Sequence, residues 1–200
     1  MNLNLNNKKV LITGASRGIG LSIAKEFLGE MAKVCIVSRG SDDLFSNEEK
    51  LQGSFGKKNI FASRCDCSDI ESLNNLSTTI KELWGQLDII VINVGDGQSV
   101  VDSIPNDDDW KKNWNNNFES ALQTVRTFLP MIEESNGVVL FISSIAGMEV
   151  IGAPTDYSTA KAAIIALAKN MSRKVAPNIR VNVISPGNVY FDGSSWDKKI

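Results

Sequence analysis

The sequence predicts an α/β fold, a single doubly wound parallel sheet with helices on both faces. Six short runs rich in Val and Ile alternate with five longer helical patterns from one end of the chain to the other. The short runs show little polar alternation, as strands covered on both faces do. A glycine-rich turn follows the first run directly, where strand one should hand over to the first helix.

Taken in order, the predicted strands are 8–13, 33–38, 59–65, 87–93, 137–143 and 179–184. The helical patterns between them cover 19–29, 42–51, 69–84, 107–134 and 155–175. Local signals agree with these boundaries. Ser68-Asp69-Ile70-Glu71 has capping-box spacing, with Ser68 and Glu71 expected to satisfy free amides at a helix start. Pro105 and the acidic run Asp107-Asp108-Asp109 suit the first turn of the next helix, where negative charge meets the positive dipole end.

Bulk composition narrows the function. With 42% apolar and 22% charged residues, the chain reads as one domain over 1–200. A net charge of −2 offers no basic surface for nucleic acid or an anionic membrane, so a small-molecule partner is expected. Histidine is absent, which removes Ser-His-Asp hydrolysis and the commonest zinc ligand; no metal site is expected. Cys35, Cys65 and Cys67 are an odd set without a CxxC pair and read as reduced thiols. The polar start Met1–Asn7 lacks an apolar signal stretch, and no later segment is long and apolar enough to span a bilayer. A cytoplasmic location is the expectation.

The first strand runs into Thr13-Gly14-Ala15-Ser16-Arg17-Gly18-Ile19-Gly20. Glycine lets the backbone turn sharply and approach a pyrophosphate, whose charge then sits on free amides at a helix start. Asn93-Val94-Gly95 follows strand four, Tyr157-Ser158-Thr159-Ala160-Lys161 lies on the fifth helical pattern, and Pro186-Gly187 follows strand six. The TGxxxGxG spacing and these three later motifs, over essentially the whole chain, resemble the classical short-chain dehydrogenase/reductase family and its Rossmann fold. That resemblance implies a nicotinamide cofactor held by Gly14, Ser16, Arg17, Gly18, Ile19 and Gly20, with Asn93, Val94 and Gly95 bordering the adenosine ribose. It also places Asp66 at the adenine edge, Cys67 beside it through its backbone, and Pro186, Gly187 and Val189 among the cofactor contacts. A homo-oligomer, dimer or tetramer, is implied as well.

The second strand ends at Ser38-Arg39, with no acid at Ser38. Relatives that prefer NAD carry a carboxylate there for the ribose 2′-hydroxyl, whereas Arg39 and Arg17 suit a 2′-phosphate. NADP(H) is therefore the expected cofactor.

On a helix, Tyr157 and Lys161 stand one turn apart on the same face. Ionising a free tyrosine at pH 7 costs about 4 kcal/mol, and an adjacent ammonium is expected to lower that cost. Ser144 lies at the carboxyl end of strand five, where ligands bind in open α/β sheets, and precedes Tyr157 by the separation the family shows. It is preferred over Ser143, which should point away. The resemblance makes Ser144 the carbonyl-binding hydroxyl, Tyr157 the general acid, Lys161 the ribose-holding residue that tunes the phenol, and Asn117 the residue that positions a proton-relay water. It implies carbonyl reduction or the reverse alcohol oxidation, on a β-ketoacyl thioester or a sugar-derived ketone.

Two departures from the family stand out. Phe191 occupies the place where many relatives have a threonine that contacts the nicotinamide amide. The chain ends at Ile200, whereas relatives usually continue through a lid, another helix and a last strand, so a C-terminally shortened domain lacking that strand is expected. The alternative function is a catalytically weak nucleotide-binding sensor or scaffold.

Overall fold

The computed structural model describes residues 3–100 and 102–191. Six strands, β1 Lys9–Thr13, β2 Lys33–Ser38, β3 Ile60–Arg64, β4 Ile89–Ile92, β5 Val138–Ile142 and β6 Arg180–Ile184, form one sheet in the order β3-β2-β1-β4-β5-β6. Every pairing is parallel. The strand order reverses between β1 and β4, which opens a crevice at their carboxyl ends.

Among the described residues six α-helices cover the two faces: α1 Gly18–Gly29, α2 Asp42–Phe55, α3 Ile70–Trp84, α4 Asp107–Trp114, α5 Ser120–Ser135 and α6 Thr155–Val175. Alternation along the strands explains the layering. Val10 and Ile12 of β1 point into the core beneath Ala24 and Leu28 of α1 and Leu44 and Leu51 of α2. Leu11 points the other way, into the core formed with Leu73 and Ile80 of α3, Phe128 and Ile132 of α5, and Ile164 of α6.

The predicted strands are observed within two residues at each end. The long pattern over 107–134 differs in detail, because a π-helical turn at Asn115–Glu119 separates α4 from α5. The start of α3 differs too. Asp69, in an extended conformation, is the cap, and its carboxylate accepts from the Glu71 N–H at 3.1 Å. Ser68 lies one residue outside the cap position, and its hydroxyl donates to Asp66 at 2.7 Å. Asn106 caps α4, accepting from Asp108 and Asp109, so the acidic run does lie in the first turn. The expected shortening at Ile200 falls outside the described residues. Among the described residues no helix is long and apolar enough to cross a membrane.

Candidate active site

The turn after β1 is shaped by two glycines in the left-handed region, Gly14 at φ 62° and Gly18 at φ 56°. A side chain on Gly20 would meet the Gly14 carbonyl oxygen at 2.6 Å and Asn93 Nδ2 at 2.7 Å, so that glycine seats α1 against the loop. The loop is held from three sides. Ala15 donates to the Val37 carbonyl, Asn47 Nδ2 to the Ser16 carbonyl, and Asn93 Nδ2 to the carbonyls of Thr13 and Gly14. The helix start itself has no side-chain cap and no acid in its first turn, which leaves its amides and positive dipole end available to an anion.

A cleft of about 610 Å³ begins at this loop and runs across the sheet crevice. Gly14, Ser16, Arg17, Gly18 and Ile19 line its middle, Ser38, Arg39, Asp66 and Cys67 one end, and Asn93, Val94, Gly95, Tyr157 and Lys161 the other. The donors, the helix start and the volume fit a dinucleotide. Gly20, Asn117, Ser144, Pro186, Gly187 and Val189 do not line it. Gly20 sits behind the loop, and the Pro186 carbonyl is engaged by the Ile145 N–H at 3.0 Å.

At the end beside β2, Arg39 Nη1 donates to Asn116 Oδ1 at 3.2 Å across the cleft, while Arg64 Nε donates to the Arg39 carbonyl at 3.0 Å. Burial alone would raise the Asp66 carboxyl, but hydrogen bonds from the Ser68 hydroxyl and N–H, with Arg39 nearby, bring it below its ordinary value. Asp43 and Asn116 also line the cleft, and neither stands in a recognisable motif. Asn116 is placed there by the π-helical turn, a local irregularity that helical periodicity does not reveal.

At the opposite end, α6 carries Tyr157 and Lys161 toward the tip of β5. Lys161 is only 4% exposed; its Nζ lies 5.7 Å from the Tyr157 ring centroid and 3.4 Å from the Ile142 carbonyl. Glycines permit this crowding. A side chain on Gly95 would meet Lys161 Nζ at 2.7 Å and Asn117 Oδ1 at 2.8 Å, and one on Gly147 would meet the backbone of Lys161 and Ala162 at 2.7 Å. Ser144 caps a single 3-10 turn at Ile145–Gly147, its Oγ accepting from Ala146, and its hydroxyl is near enough to the Tyr157 phenol to draw it down. Ser143, expected to point away, instead lines the cleft that Ser144 does not, because its hydroxyl is drawn toward α6, donating to the Lys161 carbonyl at 2.8 Å.

The electrostatics differ from the sequence expectation in sign. Burial pushes the Tyr157 phenol up, the Ser144 hydroxyl draws it down, and the Asp96 carboxylate pushes it up further, leaving it above its ordinary value. The ammonium expected to depress it is itself penalised, since burial lowers Lys161 from 10.5 to about 8. Asn117 is fully buried, and its side chain is committed. Nδ2 donates toward the Asp96 carbonyl and to Asn113, while Oδ1 accepts from the Asp96 N–H. It clamps the loop after β4 against the tyrosine and lysine.

Comparison with known proteins agrees with this geometry. The short chain dehydrogenase family profile matches residues 8–196. The chain is 32% identical over 195 residues to the uncharacterized oxidoreductase YvrD of Bacillus subtilis, covering 96% of this chain and 73% of that one. It is also 32% identical over 197 residues to the 3-oxoacyl-[acyl-carrier-protein] reductase FabG of Chlamydia muridarum, covering 96% and 78%. The crystal structure of L-sorbose reductase from Gluconobacter frateurii, complexed with NADPH and L-sorbose, superposes with a TM-score of 0.92 at 27% identity, covering all of this chain and 75% of that one. With its six-stranded sheet, glycine-shaped loop and matching profile, the chain belongs to the short-chain dehydrogenase/reductase family of oxidoreductases.

Proposed function

We propose that the protein is an NADP(H)-dependent carbonyl reductase, with Tyr157 as general acid, acting on a β-ketoacyl thioester. The observation that carries the reading is the convergence of Tyr157 and Lys161 at one end of a cleft whose other end presents Arg39, with Ser144 near the phenol just outside the lining. When bound, the nicotinamide cofactor supplies or accepts the hydride. Arg39, with Arg17, would hold a 2′-phosphate by charge-assisted hydrogen bonds, and NADPH in the L-sorbose reductase structure supports that choice.

Ser144 presents its hydroxyl to the substrate carbonyl oxygen, already oriented beside the phenol. Tyr157 donates its proton to that oxygen as negative charge develops there. The raised phenol favours the neutral, proton-carrying form, which reduction requires. Lys161, titrating near 8, holds the nicotinamide ribose and is matched to passing a proton back to Tyr157 near neutral pH. The side-chain amide of Asn117 is spent on the Asp96 backbone, so a relay water there would rest on a different group. Alcohol oxidation runs the same proton path in reverse.

The likeness to a 3-oxoacyl-[acyl-carrier-protein] reductase supports the thioester class, as do the exposed Ile104, Met148, Val150 and Ile151 on the loops leading to α4 and α6. The likeness to L-sorbose reductase supports a second reading, a sugar ketone. A homo-oligomer, dimer or tetramer, is part of the same proposal. The test is consumption of NADPH with a panel of β-ketoacyl thioesters and ketoses. Turnover of the thioesters alone is the expected result, turnover of ketoses alone selects the second reading, and turnover of neither refutes both.

A further inference from the structure

The arm that leaves β6 is tied down at Pro186 by the Ile145 N–H and then runs exposed through Val189 and Tyr190. Phe191 turns back inward and lines the cleft. A side chain built on Gly18 would lie 2.8 Å from the tip of the Phe191 ring and 2.9 Å from the next ring carbon, so the ring rests directly on the first residue of α1.

That position is the pyrophosphate cradle. An anion at a helix start needs the free amides and the space in front of them, and Gly18 keeps that space clear of its own side chain. The Phe191 ring takes it instead and provides none of the charge the dipole end favours. Ring and phosphate exclude one another.

We propose that Phe191 is a built-in plug of the cofactor cleft, which leaves the cradle before a dinucleotide binds. The arm from Pro186 to Phe191 is the moving part, and the measured affinity for cofactor equals the intrinsic affinity reduced by the fraction of molecules that are unplugged. This inference rests on the dinucleotide reading of the cleft, and is independent of the substrate.

The test is NADPH binding by fluorescence titration and stopped flow to the unmodified chain, Phe191→Ala and Phe191→Thr, with thermal melts to establish that all three are folded. If the plug holds about nine-tenths of the molecules, both variants bind about tenfold more tightly, mainly through faster association. The gain should also appear with 2′-phospho-ADP-ribose, which keeps the pyrophosphate but lacks nicotinamide. It should be missing with adenosine 2′-monophosphate, which has no pyrophosphate. Unchanged or weaker NADPH binding in both variants overturns the plug, as does an equal gain with adenosine 2′-monophosphate. Binding of no dinucleotide by any of the three proteins overturns the cofactor reading, and the plug with it.

Discussion

Tyr157 is a buried phenol whose proton is held more tightly than in water, and Lys161 a buried ammonium whose proton is held less tightly. Removing only the phenol oxygen tests the first role. Tyr157→Phe is expected to lower kcat by at least about 100-fold while leaving NADPH affinity nearly unchanged, as read by steady-state rates beside cofactor titration. Lys161 carries a stability cost with a definite pH dependence. Its folded value of about 8 lies below the ordinary 10.5, so between those two values the unfolded chain holds the extra proton and stability rises with pH. Lys161→Met, of similar volume and uncharged, should therefore be more stable than the unmodified chain at pH 7, by about 1–3 kcal/mol. That advantage should shrink as pH rises through 8 and disappear near 10.5, as followed by denaturant melts across that range. Arg39→Asp should weaken NADPH binding about 10- to 100-fold relative to NADH, the loss of a charge-assisted hydrogen bond; equal affinities in the unmodified protein would contradict the role assigned to Arg39. The pairing of Tyr157 with Lys161 was legible because helical spacing alone puts them on one face. The direction of the phenol shift was not, because it depends on burial and on Asp96, 61 positions away in sequence but beside the ring in the fold.

The elements were mostly legible from strand hydrophobicity and helix periodicity, and their exceptions have local physical causes. Spacing singled out Ser68 as a cap, but the helix begins at Ile70, so Asp69 holds the cap position and Ser68 stands one residue before it. Asp69→Ala should then cost about 1 kcal/mol in a thermal or denaturant melt, and Ser68→Ala should leave the α3 cap intact. The π-helical turn at Asn115–Glu119 was hidden because an inserted residue preserves the general apolar pattern while rotating the turns downstream of it. It is also where Asn117 gains its approach to Asp96 and Asn116 its approach to Arg39. Gly147 is a comparable case. Its need for close contact with α6 is a property of two elements packed together, which neither segment expresses alone.

At the scale of the whole molecule, the strand–helix alternation and the family motifs made the doubly wound parallel sheet and the location of the cleft legible together. They left the occupancy of the cradle by Phe191 unseen, since a missing threonine does not say where the ring that replaces it will go. The parallel order also has a kinetic consequence. β1 and β4 are neighbours at the centre of the sheet, yet the Lys9 N–H reaches the Asp88 carboxylate across 79 intervening steps of chain. No local hairpin can form that contact, so closing it is slow relative to formation of the helices. The crevice comes into being only when this closure is complete, and the catalytic end waits further for β5 and α6. The phosphate loop, held by Asn93 from beyond β4, is finished by that same closure, so ligand capture can serve as a clock for the last step of assembly.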